Sequence, residues 1–263
     1  MLKSFAALSI LVLALPLRAQ MPATPKPEAF EVATIRPVDP AAQSGRFIKM
    51  EGDHRFIAYH FTLNLLIAAA YDLNPRTVSG GPKWVDSDHF DILGITPGDA
   101  RPTREQQMAM LRTLLTDRFG LTFHREPKVL SIYEMQVAPG GPKLKPTAAA
   151  PGAPINVVNT VYPSKVVLPA RNATIQDVVA MMQRAMLDRP VVDKTGITGR
   201  YDFDLEWAPD ETQFGGALVP APSDSPSPPL FTALQEQLGL KLVATRGSVD
   251  ALIIDHAAQP TVD

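Results

Sequence analysis

The sequence predicts an α+β fold of two duplicated lobes, each a small mixed or antiparallel sheet with two packed helices. Three observations carry this expectation. Residues 111–138 align without a gap on 230–257, where Leu111, Thr113, Leu115, Gly120, Leu121 and Ala138 recur as Leu230, Thr232, Leu234, Gly239, Leu240 and Ala257. Upstream, Thr62-Leu63 opens an apolar helix as Thr174-Ile175 does, and Phe90-Asp91-Ile92 precedes Pro97 much as Tyr201-Asp202-Phe203 precedes Pro209. Apolar residues recur at helical spacing in some segments and alternate in others, which is the mark of mixed structure.

The elements follow in chain order. Lys3, the apolar run Phe5 to Leu15 and the break at Pro16 read as a secretory signal peptide over residues 1–19, cut after Ala19. That run falls short of the roughly 18–20 residues that span a bilayer, so no membrane span is expected after signal cleavage. Residues 20–29 hold three prolines and form a flexible lead. The first α+β lobe covers 30–142, a linker covers 143–154, and the second lobe covers 155–260 with a Pro-rich insertion at 209–229 that reads as a disordered surface segment.

Within the first lobe, Leu63, Leu66, Ile67 and Ala70 make one helical stripe, ended by Asn74-Pro75. In the second, Thr174 and Asp177 form a capping box, and Ile175, Val178, Val179, Met182 and Met186 share one face. The methionine stripe reads as packing rather than as a metal or cofactor site. Later helices, Thr103 to about Phe119 and about Ser227 to Leu238, each stop at a glycine suited to a left-handed cap, Gly120 or Gly239. A hairpin is expected after each: one around Pro127-Lys128, the other around Arg246-Gly247-Ser248.

Composition excludes several classes of function. The 263 residues are 45% hydrophobic, enough to build a core or two, and 25 basic against 27 acidic groups leave a net charge of −2, so a nucleic-acid partner is not expected. The absence of cysteine removes disulfides, thiolate metal sites and a cysteine nucleophile. The five histidines have no i, i+3 or i, i+4 pairing, and there is neither a Gly-x-Ser-x-Gly elbow nor a Ser-x-x-Lys. No catalytic residue, metal site or cofactor is assigned. The paired Gly-Gly-Pro-Lys segments at Gly80 and Gly140 read as backbone turns, since neither has the Ser or Thr of a phosphate loop.

The binding candidates are Trp84, Asp202, Asp204, Glu206 and Trp207. Tyr201 to Trp207 alternates so that its three carboxylates share one face of a strand, with Tyr201, Phe203, Leu205 and Trp207 on the other. Such a row can hold a cation or divide acid and base duties, and it is also what the solvated side of a half-buried strand looks like. Trp84 or Trp207 would supply a platform for a sugar.

Phe30-Glu-Val-Ala-Thr-Ile-Arg-Pro37, Gly80-Gly-Pro-Lys-Trp84, Leu114-Leu-Thr-Asp-Arg-Phe-Gly-Leu121, Gly140-Gly-Pro-Lys-Leu-Lys145, Arg189-Pro-Val-Val-Asp-Lys-Thr-Gly-Ile-Thr-Gly-Arg-Tyr-Asp-Phe203 and Phe231-Thr-Ala-Leu-Gln-Glu-Gln-Leu-Gly-Leu240 together resemble an uncharacterised family of exported proteins, expanded in soil acidobacteria and known as a domain of unknown function. The repeat more loosely resembles the short N-terminal domains of secretins and TonB-dependent receptors, which dock envelope partners. The resemblance implies a periplasmic or extracellular protein and brings no catalytic residues. The function expected is a non-enzymatic cell-envelope module binding an envelope protein or surface polymer. The alternatives are an envelope hydrolase acting on glycan or peptide and a periplasmic ligand-sensing domain.

Overall fold

The computed structural model describes residues 28–39, 45–216 and 220–261. The expected signal peptide and residues 20–27 of the lead lie outside the described residues, as do residues 217–219 of the insertion. The chain has an α+β fold, with three sheets and five α-helices among the described residues, and two of those helices continue into π-helical turns.

The first part of the chain forms β1 (Val32–Val38), β2 (Phe47–Glu51), β3 (Arg55–Thr62), α1 (Leu63–Ala70), β4 (Val78–Gly80), α2 (Trp84–Ser87), β5 (His89–Ile95) and α3 (Arg104–Phe119). Four of its strands make an antiparallel sheet in the order β1-β5-β3-β2. Helix α1 starts where the Thr62 hydroxyl accepts the Leu65 N–H, and α3 starts in a reciprocal capping box between Thr103 and Gln106. Gly120 closes α3 at φ 59°, the left-handed conformation its position in the sequence predicts.

The long strand β6 (Thr122–Val137) leads to β7 (Lys145–Pro146), β8 (Asn156–Val157), β9 (Thr160–Val161), β10 (Val166–Ala173), α4 (Ile175–Met181), β11 (Val191–Asp193), β12 (Tyr201–Trp207), α5 (Leu230–Ala233) and β13 (Leu240–His256). A second sheet runs β7-β12-β10-β8, with β9 also on β10. Thr174 and Asp177 make the expected capping box, and all five residues of the predicted stripe from Ile175 to Met186 are buried. Helix α4 continues as a π-helical turn over Met182–Met186, and α5 as another over Leu234–Leu238 that ends on Gly239 at φ 66°.

The two expected hairpins are not hairpins. Thr122–Val137 and Leu240–His256 are each one continuous strand, and they pair with one another antiparallel over nearly their whole length. Pro127-Lys128 and Arg246-Gly247-Ser248 in their middles are turn-forming residues, so they read locally as turns, while the partner that keeps them extended lies far away in sequence. The short strands β4 and β11 flank this ribbon, giving the third sheet the order β11-β6-β13-β4. Parallel pairing joins β4 to Leu252, Ile253 and Ile254, and β11 to Tyr133, Glu134 and Met135. Those two triplets are aligned positions of the internal repeat, and Val129 pairs with Ser248, its own aligned counterpart.

The ribbon therefore threads both cores. The first cluster gathers Ile35, Phe56, Leu63, Ile67, Phe90, Ile92, Leu111, Leu115 and Phe119, together with Leu252, Ile254 and Ala257 from the far end of the chain. The second gathers Leu168, Val178, Met182, Met186, Leu205, Trp207, Leu230 and Leu234, together with Met135 from β6. Helix ends are tied the same way. The Ala258 N–H donates to the Phe119 carbonyl at 2.7 Å, and the Lys143 N–H donates to the Leu238 carbonyl at 2.8 Å. Residues just after one ribbon strand thus satisfy the orphan carbonyls of the helix that precedes the other.

The start of the Pro-rich insertion reaches the second core. Trp207 is fully buried, and its indole N–H donates to Gln213 Oε1 at 2.7 Å, with Gln213 itself 1% exposed. A buried indole needs an acceptor, and the insertion supplies it.

Candidate interaction surface

The carboxylate row on β12 falls where the alternation places it, and each member has its own partner. Asp202 is half-buried and accepts the Asn172 N–H at 2.8 Å. That bond first, with a hydrogen bond from the Thr147 side chain, holds its carboxyl below the usual aspartate range. Asp204 is exposed and pairs with Arg171 at 2.8 Å. Glu206 accepts from the Lys165 ammonium at 2.7 Å and from the Ser227 hydroxyl at 2.8 Å, and the lysine contact is the main reason its carboxyl titrates low.

The two tryptophans stand apart. Trp84 is half-buried at the start of α2 and packs against Phe90 and Phe119 at centroid distances of 6.2 and 6.4 Å. Trp207 faces the second core, on the side of β12 away from the carboxylates. The structure thus brings Asp202, Asp204, Glu206 and Trp207 onto one strand but does not join the indoles and carboxylates into a single cleft.

A different surface carries the unusual chemistry. Ala33, Ile35, Phe56, Ala58, Phe90, Ile92, Ile48 and Met50 of the first sheet pack on the first core, so the alternate residues form its outward face. Cross-strand rows on that face read Thr34, Leu93, Ile57, Lys49 and then Val32, Ile95, Arg55, Glu51. Beyond them Phe47 stacks on Tyr59 at 5.2 Å with rings 13° from parallel, and the Lys49 ammonium lies 5.3 Å from the Phe47 ring centre. Val32 is 60% exposed and Phe47 39%.

An antiparallel sheet with one solvated side ordinarily presents polar residues there. The second sheet presents Asp204, Glu206 and Arg171 beside Val167 and Pro169, whereas the first presents exposed Val32 and Phe47 with half-buried Leu93, Ile95, Ile57 and Tyr59 among Thr34, Arg36, Lys49, Arg55, Glu51 and Asp91. Sequence reasoning passed over this face, yet the signal is present. In Arg55-Phe-Ile-Ala-Tyr-His-Phe61 both alternating sets are largely apolar, which calls for a cover on each side of the strand.

Among the described residues no cluster of three or more His, Asp or Glu side chains has the arrangement of a metal site, and no helix is long and apolar enough to cross a membrane. His60 and His89 stack at 4.4 Å beside the Asp91 carboxylate, which accepts the His60 N–H.

Together these features define an α+β protein in which two hydrophobic cores share one long antiparallel ribbon and the first sheet carries aromatic and apolar side chains beside ion pairs on its outward face. Residues 64–257 match the family described as protein of unknown function (DUF3738), and the chain belongs to that family. No curated protein and no solved structure matches the chain.

Proposed function

We propose that the chain is an exported cell-envelope protein, built by duplication, that acts as a non-enzymatic interaction module and binds an envelope protein or surface polymer. The observation that carries this reading is the outward face of the first sheet, where exposed Phe47 and Val32 and half-buried Tyr59, Leu93 and Ile57 lie beside the Lys49–Glu51–Arg55 ion pairs. Contiguous exposed apolar surface on a folded protein marks a site of association. Aromatic residues and arginine are enriched in such contacts, and Phe47, Tyr59 and Arg55 lie on this face. Export is supported by the basic start, apolar run and small residue at Ala19 in the first nineteen positions.

The test is to crosslink a tagged copy in intact cells and identify by mass spectrometry both the trapped material and the mature N-terminus. An N-terminus at Gln20 with a reproducible envelope partner is the expected result. A chain that keeps Met1 overturns export, and a processed chain that traps nothing overturns docking.

A further inference from the structure

We propose that the two halves of the molecule rotate against each other about the middle of the β6–β13 ribbon, and that a polar seam around Asp72 is the latch that holds them closed. Among the described residues the main chain passes between the two cores at two places. One lies in β6, between Phe123 on the first core and Met135 in the second; the other lies in β13, between Leu242 in the second and Leu252 in the first. Both crossings run through the same stretch of ribbon, where exposed Val129 faces Ser248. Among the described residues no third strand pairs with the ribbon here, and Val129, Ser131, Arg246 and Ser248 are exposed, so this two-stranded waist is where two bodies would pivot.

Away from the ribbon, residues 72–74 of the first half meet residues 183–187 of the second, and the Arg46 side chain of the first approaches Gly215 of the second. The Asp72 carboxylate accepts from Arg104 of its own half at 2.8 Å and from Arg184 of the other half at 2.9 Å. The Gln183 amide donates to the Asp72 carbonyl at 2.7 Å, and the Asn74 amide donates to the Gln183 and Leu187 carbonyls at 2.7 and 3.0 Å. The two hydrophobic clusters are separate, and hydrogen bonds and an ion pair join the halves here. A polar seam can part without exposing a continuous apolar core.

The geometry on both sides fits a latch. Asp72 follows the C-cap of α1 with φ at 52°, and the Leu73 N–H donates to the Ala68 carbonyl at 2.9 Å, so the helix end fixes where this carboxylate stands. Arg184 stands in the π-helical turn after α4 with its side chain 13% exposed, and burial pushes its guanidinium down to about 10. It is still charged at neutral pH, and Asp72 is the carboxylate that compensates it across the seam.

Because the chain lacks cysteine, Glu105→Cys on α3 and Gln235→Cys after α5 give two exposed labelling sites without background. Spin labels there report the distance between the halves. The parent protein should give one narrow distribution, and Asp72→Asn or Asn74→Ala should broaden it about twofold while far-ultraviolet circular dichroism stays native. If a variant fails to fold, Arg104→Met, which removes only the half-exposed partner, should give a smaller broadening of the same kind. An unchanged distribution in the folded seam variants overturns the proposal. No partner enters the experiment, so its outcome is independent of the docking role.

Discussion

His60 and Asn172 hold the same bend in two different sheets. Each is a non-glycine residue at positive φ, 61° and 52°, and each sits in a bulge, between Ala58 and Phe61 in one strand and between Ala170 and Ala173 in the other. Each donates its backbone N–H to a carboxylate on the neighbouring strand at 2.8 Å, His60 to Asp91 and Asn172 to Asp202. The duty of Asp202 visible in the structure is therefore the duty of Asp91: to satisfy a backbone group that the bulge removes from the strand ladder.

Asp91→Ala is expected to destabilise the protein by about 1–2 kcal/mol, because the bulge N–H loses its acceptor. Asp202→Asn should lower the thermal midpoint in the same direction and also flatten the acid limb of stability. The lowered folded pKa of Asp202 means its contribution is present above the ordinary aspartate value and is lost as pH falls through the folded value. Thermal midpoints measured from about pH 5 to pH 2 test both statements. A steep acid limb unchanged in Asp202→Asn would contradict the second.

Gly239→Ala should cost about 2–3 kcal/mol. It combines the penalty of a side chain at φ 66° with a collision between the new Cβ and the Gly141 carbonyl oxygen. Gly98→Ala is the control, since Gly98 also has positive φ but has open space where a Cβ would stand. Chemical denaturation should rank Gly239→Ala as clearly the more damaging, and equal costs would contradict the close approach of the Gly141 carbonyl to Gly239.

Gln213→Leu strands the buried Trp207 indole N–H and should cost about 1–3 kcal/mol. Adding Trp207→Phe removes the orphaned donor, so the double variant should lose less than the sum of the two single changes. Additive losses in urea denaturation would show that the hydrogen bond does not link the insertion to the core.

The interlocked cores should unfold together. Trp84 packs on the first cluster and Trp207 belongs to the second, so Trp84→Phe and Trp207→Phe each leave one fluorescent reporter, in opposite halves. Leu252→Ala, which cuts the first core from the far end of the chain, should cost about 2–5 kcal/mol. Both reporters should then shift to a new common midpoint. Two separate midpoints would mean that the shared ribbon does not couple the halves.

Local signals in the sequence reached the structure intact, because each depends on neighbours a few residues away. Thr174 with Asp177, the caps at Gly120 and Gly239, the methionine stripe and the alternation from Tyr201 to Trp207 all belong to this kind. The ribbon did not, because Pro127-Lys128 and Arg246-Gly247-Ser248 carry turn chemistry yet face one another as paired strands. Gly247 is placed for packing, since a Cβ there would strike Ile132. The open sheet face was hidden for a related reason. Val32, Leu93, Ile57 and Phe47 come from four separate strands and become one surface only when the sheet is assembled.

Site-specific photo-crosslinking in intact cells tests the docking surface most directly. A photoreactive residue in place of Phe47, on the aromatic face of the first sheet, is compared with one in place of Asp204, on the outward face of the second. The account predicts a discrete adduct from position 47 that is lost in Tyr59→Asp, and little from position 204. Equal labelling from both positions, or an adduct from position 204 alone, would contradict it.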